Sequence, residues 1–79
     1  MRKIIIEKEN VDTIDFSKVN ESIPIFAKYD NVLCGMVINE LPNGWILRVG
    51  GSKHCTGHHT YLYNCLSECS KHGYEFYIV

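Results

Sequence analysis

The feature that most constrains the fold is a change of hydrophobic period near the C-terminal end of the chain. Apolar side chains recur there with helical spacing, at Leu62, Cys65, Leu66 and Cys69. Residues three, four and seven positions apart lie on one face of an α-helix. Lys71, His72 and Gly73 follow, and basic residues before a glycine are typical of a helix C-terminus. The pattern predicts one main helix, from about residue 60 to residue 72.

The other apolar segments have the period of two that is typical of β-strands. They cover residues 4–6, 23–29, 32–41, 45–49 and 74–79. Asp30-Asn31 and Pro42-Asn43-Gly44 are turn sequences, so the three middle segments are expected to form an antiparallel meander. We therefore predict an α+β fold in the order β-(loop)-β-β-β-α-β. A small mixed sheet of four to five strands would pack on one helix, and residues 9–22 would form a loop with at most one helical turn.

Length and composition limit the class of protein. With 79 residues, 46% hydrophobic and 22% charged, the chain is expected to fold as a single globular domain over residues 1–79. No apolar run approaches the roughly 18 residues of a membrane span. Glu7 and Glu9 interrupt the N-terminal segment where a signal peptide would continue apolar. We therefore expect a cytoplasmic protein with reduced cysteines and no membrane contact.

The distribution of charge points to the C-terminal half as the place for an anion site. The net charge is −1, which argues against binding nucleic acid by bulk attraction. Residues 1–40 carry five Lys/Arg and seven Asp/Glu, whereas residues 41–79 carry three and two together with all four histidines. Only the second half is neutral to mildly basic.

A glycine-rich segment between the strand at 45–49 and the helix is the first candidate site. Backbone amides of such a loop and the nearby helix N-terminus favour a bound anion. The candidate ligand-binding residues are Arg48, Gly50, Gly51, Ser52, Lys53, His54, His58 and His59. The alternative is that Gly50-Gly51 only ends a strand and turns the chain, since the segment matches neither the phosphate-binding loop nor the dinucleotide-binding pattern.

Clustered cysteines and histidines raise the question of zinc. Sulfur and imidazole are the ligands that zinc prefers. If zinc is present, the expected ligands are Cys55, His58, Cys65 and Cys69. The spacing fits no standard zinc finger, and Cys65 and Cys69 fall within the apolar face of the helix, where cysteine packs as a small hydrophobe. We therefore favour core cysteines and expect no cofactor.

Catalysis by a cysteine nucleophile is the third possibility. Cys55 lies close in sequence to His58 and His59, which could lower its pKa. No acidic residue that would orient the histidine lies nearby, and Glu68 and Glu75 are isolated from each other. We therefore expect that the protein is not an enzyme.

An uncovered sheet face favours a binding partner. One helix covers only one face of the sheet, and Cys34, Met36 and Ile38 are predicted to point away from Leu33 and Val37. Exposed apolar surface of this kind is typical of an interface. Tyrosines around the helix and the last strand would serve as interface anchors or, alternatively, as stacking surfaces for single-stranded bases.

These observations together favour a small binding protein that acts by occupancy. It would form a homo-oligomer and either inhibit a host protein or sequester a small anionic ligand such as a nucleotide. A short chain rich in Ile, Asn and Tyr without catalytic motifs is also typical of accessory proteins of phages and mobile elements. The alternative is a zinc-stabilised module that contacts nucleic acid through Arg48, Lys53 and the histidines.

Overall fold

A computed structural model describes residues 1–15, 24–50 and 57–78 of the chain. The elements in these ranges are, in chain order, β1 (Arg2–Lys3), α1 (Lys8–Asp12), β2 (Ile25–Tyr29), β3 (Val32–Glu40), β4 (Gly44–Val49), α2 (Leu62–Ser70) and β5 (Tyr74–Ile78). The α+β class, the three middle strands, the main helix and the final strand are confirmed.

The strands form one sheet in the order β1-β5-β2-β3-β4. Every neighbouring pair in the described ranges is antiparallel, so the expected mixture of parallel and antiparallel pairs is wrong. The reason lies before α2, where His59 pairs with Trp45 at the beginning of β4. His59 runs antiparallel to β4, so the chain is beside the beginning of β4 shortly before α2 starts. Because β2, β3 and β4 alternate in direction and β5 is antiparallel to β2, β5 runs opposite to β4.

Both predicted turns are present, and the first hairpin contains a bulge. Asp30 and Asn31 have φ angles of 50° and 63°, the left-handed geometry of a two-residue hairpin turn. The pairing shifts by one residue beyond this turn, so that Lys28 lies opposite Leu33 and Cys34 is the extra residue. The sequence predicts that Leu33 and Val37 share one face of the sheet and that Cys34 lies on the other face. Because of the bulge, Cys34 packs against the core instead.

The core lies between α2 and one face of the sheet. The predicted helical face is buried, with Leu62, Cys65, Leu66 and Cys69 each at most 2% exposed. These side chains belong to the same cluster as Val37, Leu47 and Phe76 of the sheet. Full burial of a leucine or phenylalanine side chain contributes about 1.5–3 kcal/mol. Packing against the sheet, rather than helix propensity, therefore holds this nine-residue helix in place.

The N-terminal segment differs from the prediction in two ways. The strand is Arg2–Lys3 rather than residues 4–6, although the Ile4 amide still donates to the Phe76 carbonyl oxygen at 2.7 Å. A second helix, α1, replaces the beginning of the predicted loop because Val11 is fully buried and its amide bonds to the Glu7 carbonyl. The rest of that predicted loop, from residue 16, lies outside the described residues.

Candidate functional site

A carboxylate that the sequence analysis did not select lies at the centre of the predicted site. The Glu40 carboxylate, at the end of β3, accepts two hydrogen bonds from the Arg48 guanidinium. Arg48 Nε donates to Oε2 at 2.9 Å, and Nη2 donates to Oε1 at 2.7 Å. His58 Nε2 lies 2.9 Å from the same Oε1. We call Glu40, Arg48 and His58 the carboxylate cluster.

The register of β3 and β4 explains how these side chains meet. Met36 lies opposite Arg48, Ile38 opposite Ile46, and Glu40 opposite Gly44. Side chains on alternate residues of a strand share a face, so Arg48 and Glu40 lie on either side of the Ile38–Ile46 pair. The ion pair between Arg48 and Glu40 passes over the Ile38–Ile46 pair, and Ile46 is only 1% exposed. The aliphatic stem of Arg48 thus covers apolar surface while its guanidinium is paired.

Glu40 and Arg48 both remain charged over a wide pH range. Hydrogen bonds from Arg48, and then from His58, lower the pKa of Glu40 from its ordinary value of 4.5 to about 2. The same hydrogen bond raises the pKa of Arg48. Glu40 is therefore ionised whenever the protein is near neutral pH, and the Arg48–Glu40 pair has no net charge.

This geometry weakens the case for Arg48 as an anion ligand. A bidentate arrangement with a carboxylate is the strongest pairing that a guanidinium makes with a side chain. An anionic ligand at Arg48 would have to compete with Glu40, which is part of the chain and so has no translational entropy to lose. The structure thus brings two predicted residues, Arg48 and His58, together around a carboxylate of the protein itself.

His59 has a structural role at the edge of the sheet. Its amide donates to the Trp45 carbonyl at 2.8 Å, and its carbonyl accepts from the Trp45 amide at 2.7 Å. Gly44 makes this approach possible, because a Cβ atom there would lie 2.4 Å from the His59 carbonyl oxygen. The φ of Gly44 is +111°, a backbone conformation that favours glycine. The bridge also holds the neighbouring residue, His58, within reach of Glu40.

The structure describes only part of the glycine-rich segment. Gly51, Ser52, Lys53, His54 and Cys55 lie outside the described residues. Gly50 is described, and its amide donates to the Cys34 carbonyl at 3.2 Å. It therefore ends the pairing of β3 with β4, and the predicted anion-binding role of the loop remains a prediction.

The cysteines do not support the conditional zinc site. Cys69 is disulfide-bonded, so its sulfur is not available as a thiolate, and the expectation of fully reduced cysteines is not met. Cys65 is a free thiol with no exposed surface, and burial raises its pKa to about 11. No three His, Cys, Asp or Glu side chains in residues 1–15, 24–50 and 57–78 are grouped as metal ligands. The prediction that Cys65 packs in the core is confirmed.

The sheet face away from α2 forms a second candidate surface, which we call the outer face. Strand register places these side chains on it: Lys3, Phe26, Lys28, Met36, Ile38, Glu40, Ile46, Arg48, Glu75 and Tyr77. The apolar centre is partly exposed at Phe26, Met36, Ile38 and Tyr77. The charged rim is paired, with Lys3 on Glu75 and the Lys28 ammonium 4.5 Å from the Tyr77 ring centroid.

Two further observations bear on function. Among the helices in the described ranges, none is long and apolar enough to cross a membrane. Comparison with protein-family models, curated proteins and solved structures found no match to this chain. The functional argument therefore depends on the residues of the chain itself.

Proposed function

We propose that this chain is a non-enzymatic binding protein that acts by occupancy, binding a protein partner through its outer face. The observation that carries the proposal is the arrangement of this face, in which Phe26, Met36, Ile38 and Tyr77 form an apolar centre inside a charged rim. Aromatic and methionine side chains at the centre with charged residues at the rim are typical of protein interfaces.

The pairing of the rim charges favours protein binding. Lys3 is paired with Glu75, and Arg48 with Glu40. Burying a charge that already has its partner avoids the penalty of an isolated buried ion. A protein surface can therefore cover this rim without supplying a matching charge at each position. A second copy of the chain and a host protein are both partners of this kind.

The other candidates from the sequence have less support. A small anionic ligand would have to displace Glu40 from Arg48, whereas a zinc-stabilised nucleic-acid module would need Cys69 as a thiolate. The net charge of −1 also lacks the basic excess that nucleic-acid binding uses.

A charge placed at the centre of the outer face tests the proposal. Met36→Glu would put an unpaired carboxylate where the partner packs, and Val32→Glu is the matched control at an exposed hairpin position. Sedimentation velocity over a range of concentrations measures self-association, and capture experiments with each variant as bait measure other partners. We expect Met36→Glu to lose the complex and Val32→Glu to keep it. If wild type and Met36→Glu have the same mass and the same captured proteins, the outer face is not the binding surface.

A cytoplasmic location is also a proposal, and the disulfide at Cys69 opposes it. Structural disulfides persist in oxidising compartments and are rare where thiols are kept reduced. Lysis of the cells directly into denaturant with an alkylating reagent, followed by mass spectrometry, decides the point, because unfolding exposes the buried Cys69. Alkylated Cys69 supports the cytoplasmic location, and Cys69 that reacts only after reduction refutes it.

A further inference from the structure

Within the ranges that the structure describes, strand β1 leaves backbone groups unpaired at one edge of the sheet. The Ile4 amide bonds to the Phe76 carbonyl, and Arg2 pairs with Ile78. Hydrogen bonding alternates along an antiparallel strand, so the amide and carbonyl of Lys3, between them, point away from β5. The side chains of Met1 and Ile5 are 64% and 63% exposed beside this edge.

An apolar groove runs next to the same edge. It has a volume of about 400 Å³, within the range of sites that bind small molecules or single side chains. Its walls come from the N-terminal segment, the end of α2 and the beginning of β5. The lining residues include Ile4, Ile5, Ile6, Ser70, Tyr74 and Phe76. Most of the lining is therefore aliphatic or aromatic.

Arg2 adds an unpaired positive charge at this edge. Within the described ranges, every other lysine and arginine has a partner: Lys3 on Glu75, Lys8 on Asp12, Lys28 on the Tyr77 ring, Arg48 on Glu40 and Lys71 on Glu68. Arg2 has none. Arg2 and Ile4 are alternate residues of the strand, so their side chains leave it on the same face, and Ile4 is one of the residues that line the groove.

We propose that the β1 edge binds an extended acidic peptide segment of a partner protein by strand addition. The added strand exchanges hydrogen bonds with the amide and carbonyl of Lys3. An aspartate or glutamate of the segment lies opposite Arg2, and an aliphatic side chain two positions away lies opposite Ile4 and enters the groove. Backbone pairing supplies affinity in this mode, and the pocket supplies specificity. This inference does not depend on the outer face.

Charged residues on an edge strand can instead serve only to prevent aggregation. Two features of β1 favour the peptide. Lys3 is neutralised by Glu75, so the edge carries one free charge rather than a repulsive row. Met1 and Ile5 flank it with exposed apolar side chains, which are the opposite of a protective edge. A second copy is disfavoured as occupant because, when two β1 strands pair antiparallel about Lys3, Arg2 lies opposite Ile4 of the other copy and its charge gains no partner.

A palindromic peptide tests the proposal in either strand direction. The probe is fluorescein-labelled Thr-Glu-Thr-Val-Thr-Glu-Thr with blocked ends, and the comparison peptide has lysine in place of glutamate. Fluorescence anisotropy measures binding. We expect saturable binding of the glutamate peptide at least about tenfold tighter than the lysine peptide, since a tenfold ratio corresponds to about 1.4 kcal/mol. Arg2→Glu should reverse this preference, whereas Lys8→Glu, with the same change in net charge at an exposed position of α1, should not.

Two substitutions of Lys3 separate strand addition from simple charge attraction. Lys3→Pro removes the outward amide together with the ion pair to Glu75, and edge strands tolerate proline. Lys3→Ala removes the same ion pair with Glu75 but keeps the amide. We expect Lys3→Pro to abolish peptide binding and Lys3→Ala to retain it, with both proteins folded by circular dichroism.

Three results would overturn the proposal. If the peptide does not bind at millimolar protein concentration, the role of Arg2 is to protect the edge from aggregation. Equal binding to Lys3→Pro and Lys3→Ala would mean that no strand is added. A dimer that Lys3→Pro dissociates and the peptide does not disturb would identify the occupant as a second copy.

Discussion

Gly44 gives the sharpest test of how the candidate site is held together. A side chain at this position meets two obstacles. The φ of +111° costs a residue other than glycine about 1–3 kcal/mol. An added Cβ atom would also lie 2.4 Å from the His59 carbonyl oxygen, far inside van der Waals contact, and that atom belongs to the backbone.

The magnitude for Gly44→Ala follows from what must move. Relief of the contact separates His59 from Trp45 and breaks two backbone hydrogen bonds, worth about 0.5–1.5 kcal/mol each. With the cost of φ, the free energy of unfolding should fall by about 2–6 kcal/mol. For a domain of this size, each kcal/mol lowers Tm by about 4–8 °C. The substitution should also move His58 away from Glu40.

Urea unfolding followed by the fluorescence of the single tryptophan, Trp45, measures the loss of stability. Hydrogen exchange of the Trp45 and His59 amides reports the bridge directly. Gly50→Ala is the matched control, because among the described residues no atom beyond its own chain neighbours lies within 4 Å of the position where its Cβ would be. Its stability should stay within about 0.5 kcal/mol of wild type. If Gly44→Ala loses less than about 1 kcal/mol and both amides stay protected, the bridge does not depend on this glycine.

Two further predictions concern titration and the core. The pKa of Glu40 is about 2 in the folded protein and 4.5 ordinarily. Ionised Glu40 therefore contributes to stability above pH 4.5, and this contribution is lost as the pH falls toward 2. At about pH 6, Glu40→Gln should unfold at a lower urea concentration than wild type, and the difference between their urea midpoints should shrink by about pH 2. Cys65→Ser should destabilise more than Cys65→Ala, because a hydroxyl buried without a hydrogen bond costs about 1–3 kcal/mol. Equal losses in the two variants, together with destabilisation of wild type by a chelator, would instead identify Cys65 as a metal ligand.

The parts of the fold predicted from the sequence are those set by local chemistry. The apolar face of α2 follows from a spacing of three and four residues, and the hairpin turn follows from the tolerance of Asp30 and Asn31 for positive φ. Each of these signals lies within one segment. No signal within one segment sets the position of β5 between β1 and β2. That position depends on where the chain lies beside the sheet when α2 begins.

The carboxylate cluster could have been found with one more step. Glu40 and Arg48 are separated by the predicted turn at residues 42–44, and once β3 and β4 are paired antiparallel they fall on one face. Opposite charges on one face of neighbouring strands are expected to pair. An anion site predicted from the cations close to the glycines leaves out Glu40, because this carboxylate lies on the preceding strand. His58 gave no such signal, because its approach depends on the distant bridge between His59 and Trp45.

The two proposed binding surfaces meet at Lys3. Its side chain is part of the rim of the outer face, through Glu75, while its amide and carbonyl form the open edge of β1. A strand added at this edge would widen the outer face by one strand and fix the backbone that carries Lys3. A partner on the outer face that also contacts the added strand then binds more tightly when the peptide is present, and the peptide gains affinity by the same factor. Lys3→Pro should remove this coupling whereas Lys3→Ala, which loses the same rim side chain, should keep it, because the coupling passes through an amide that only the proline variant lacks.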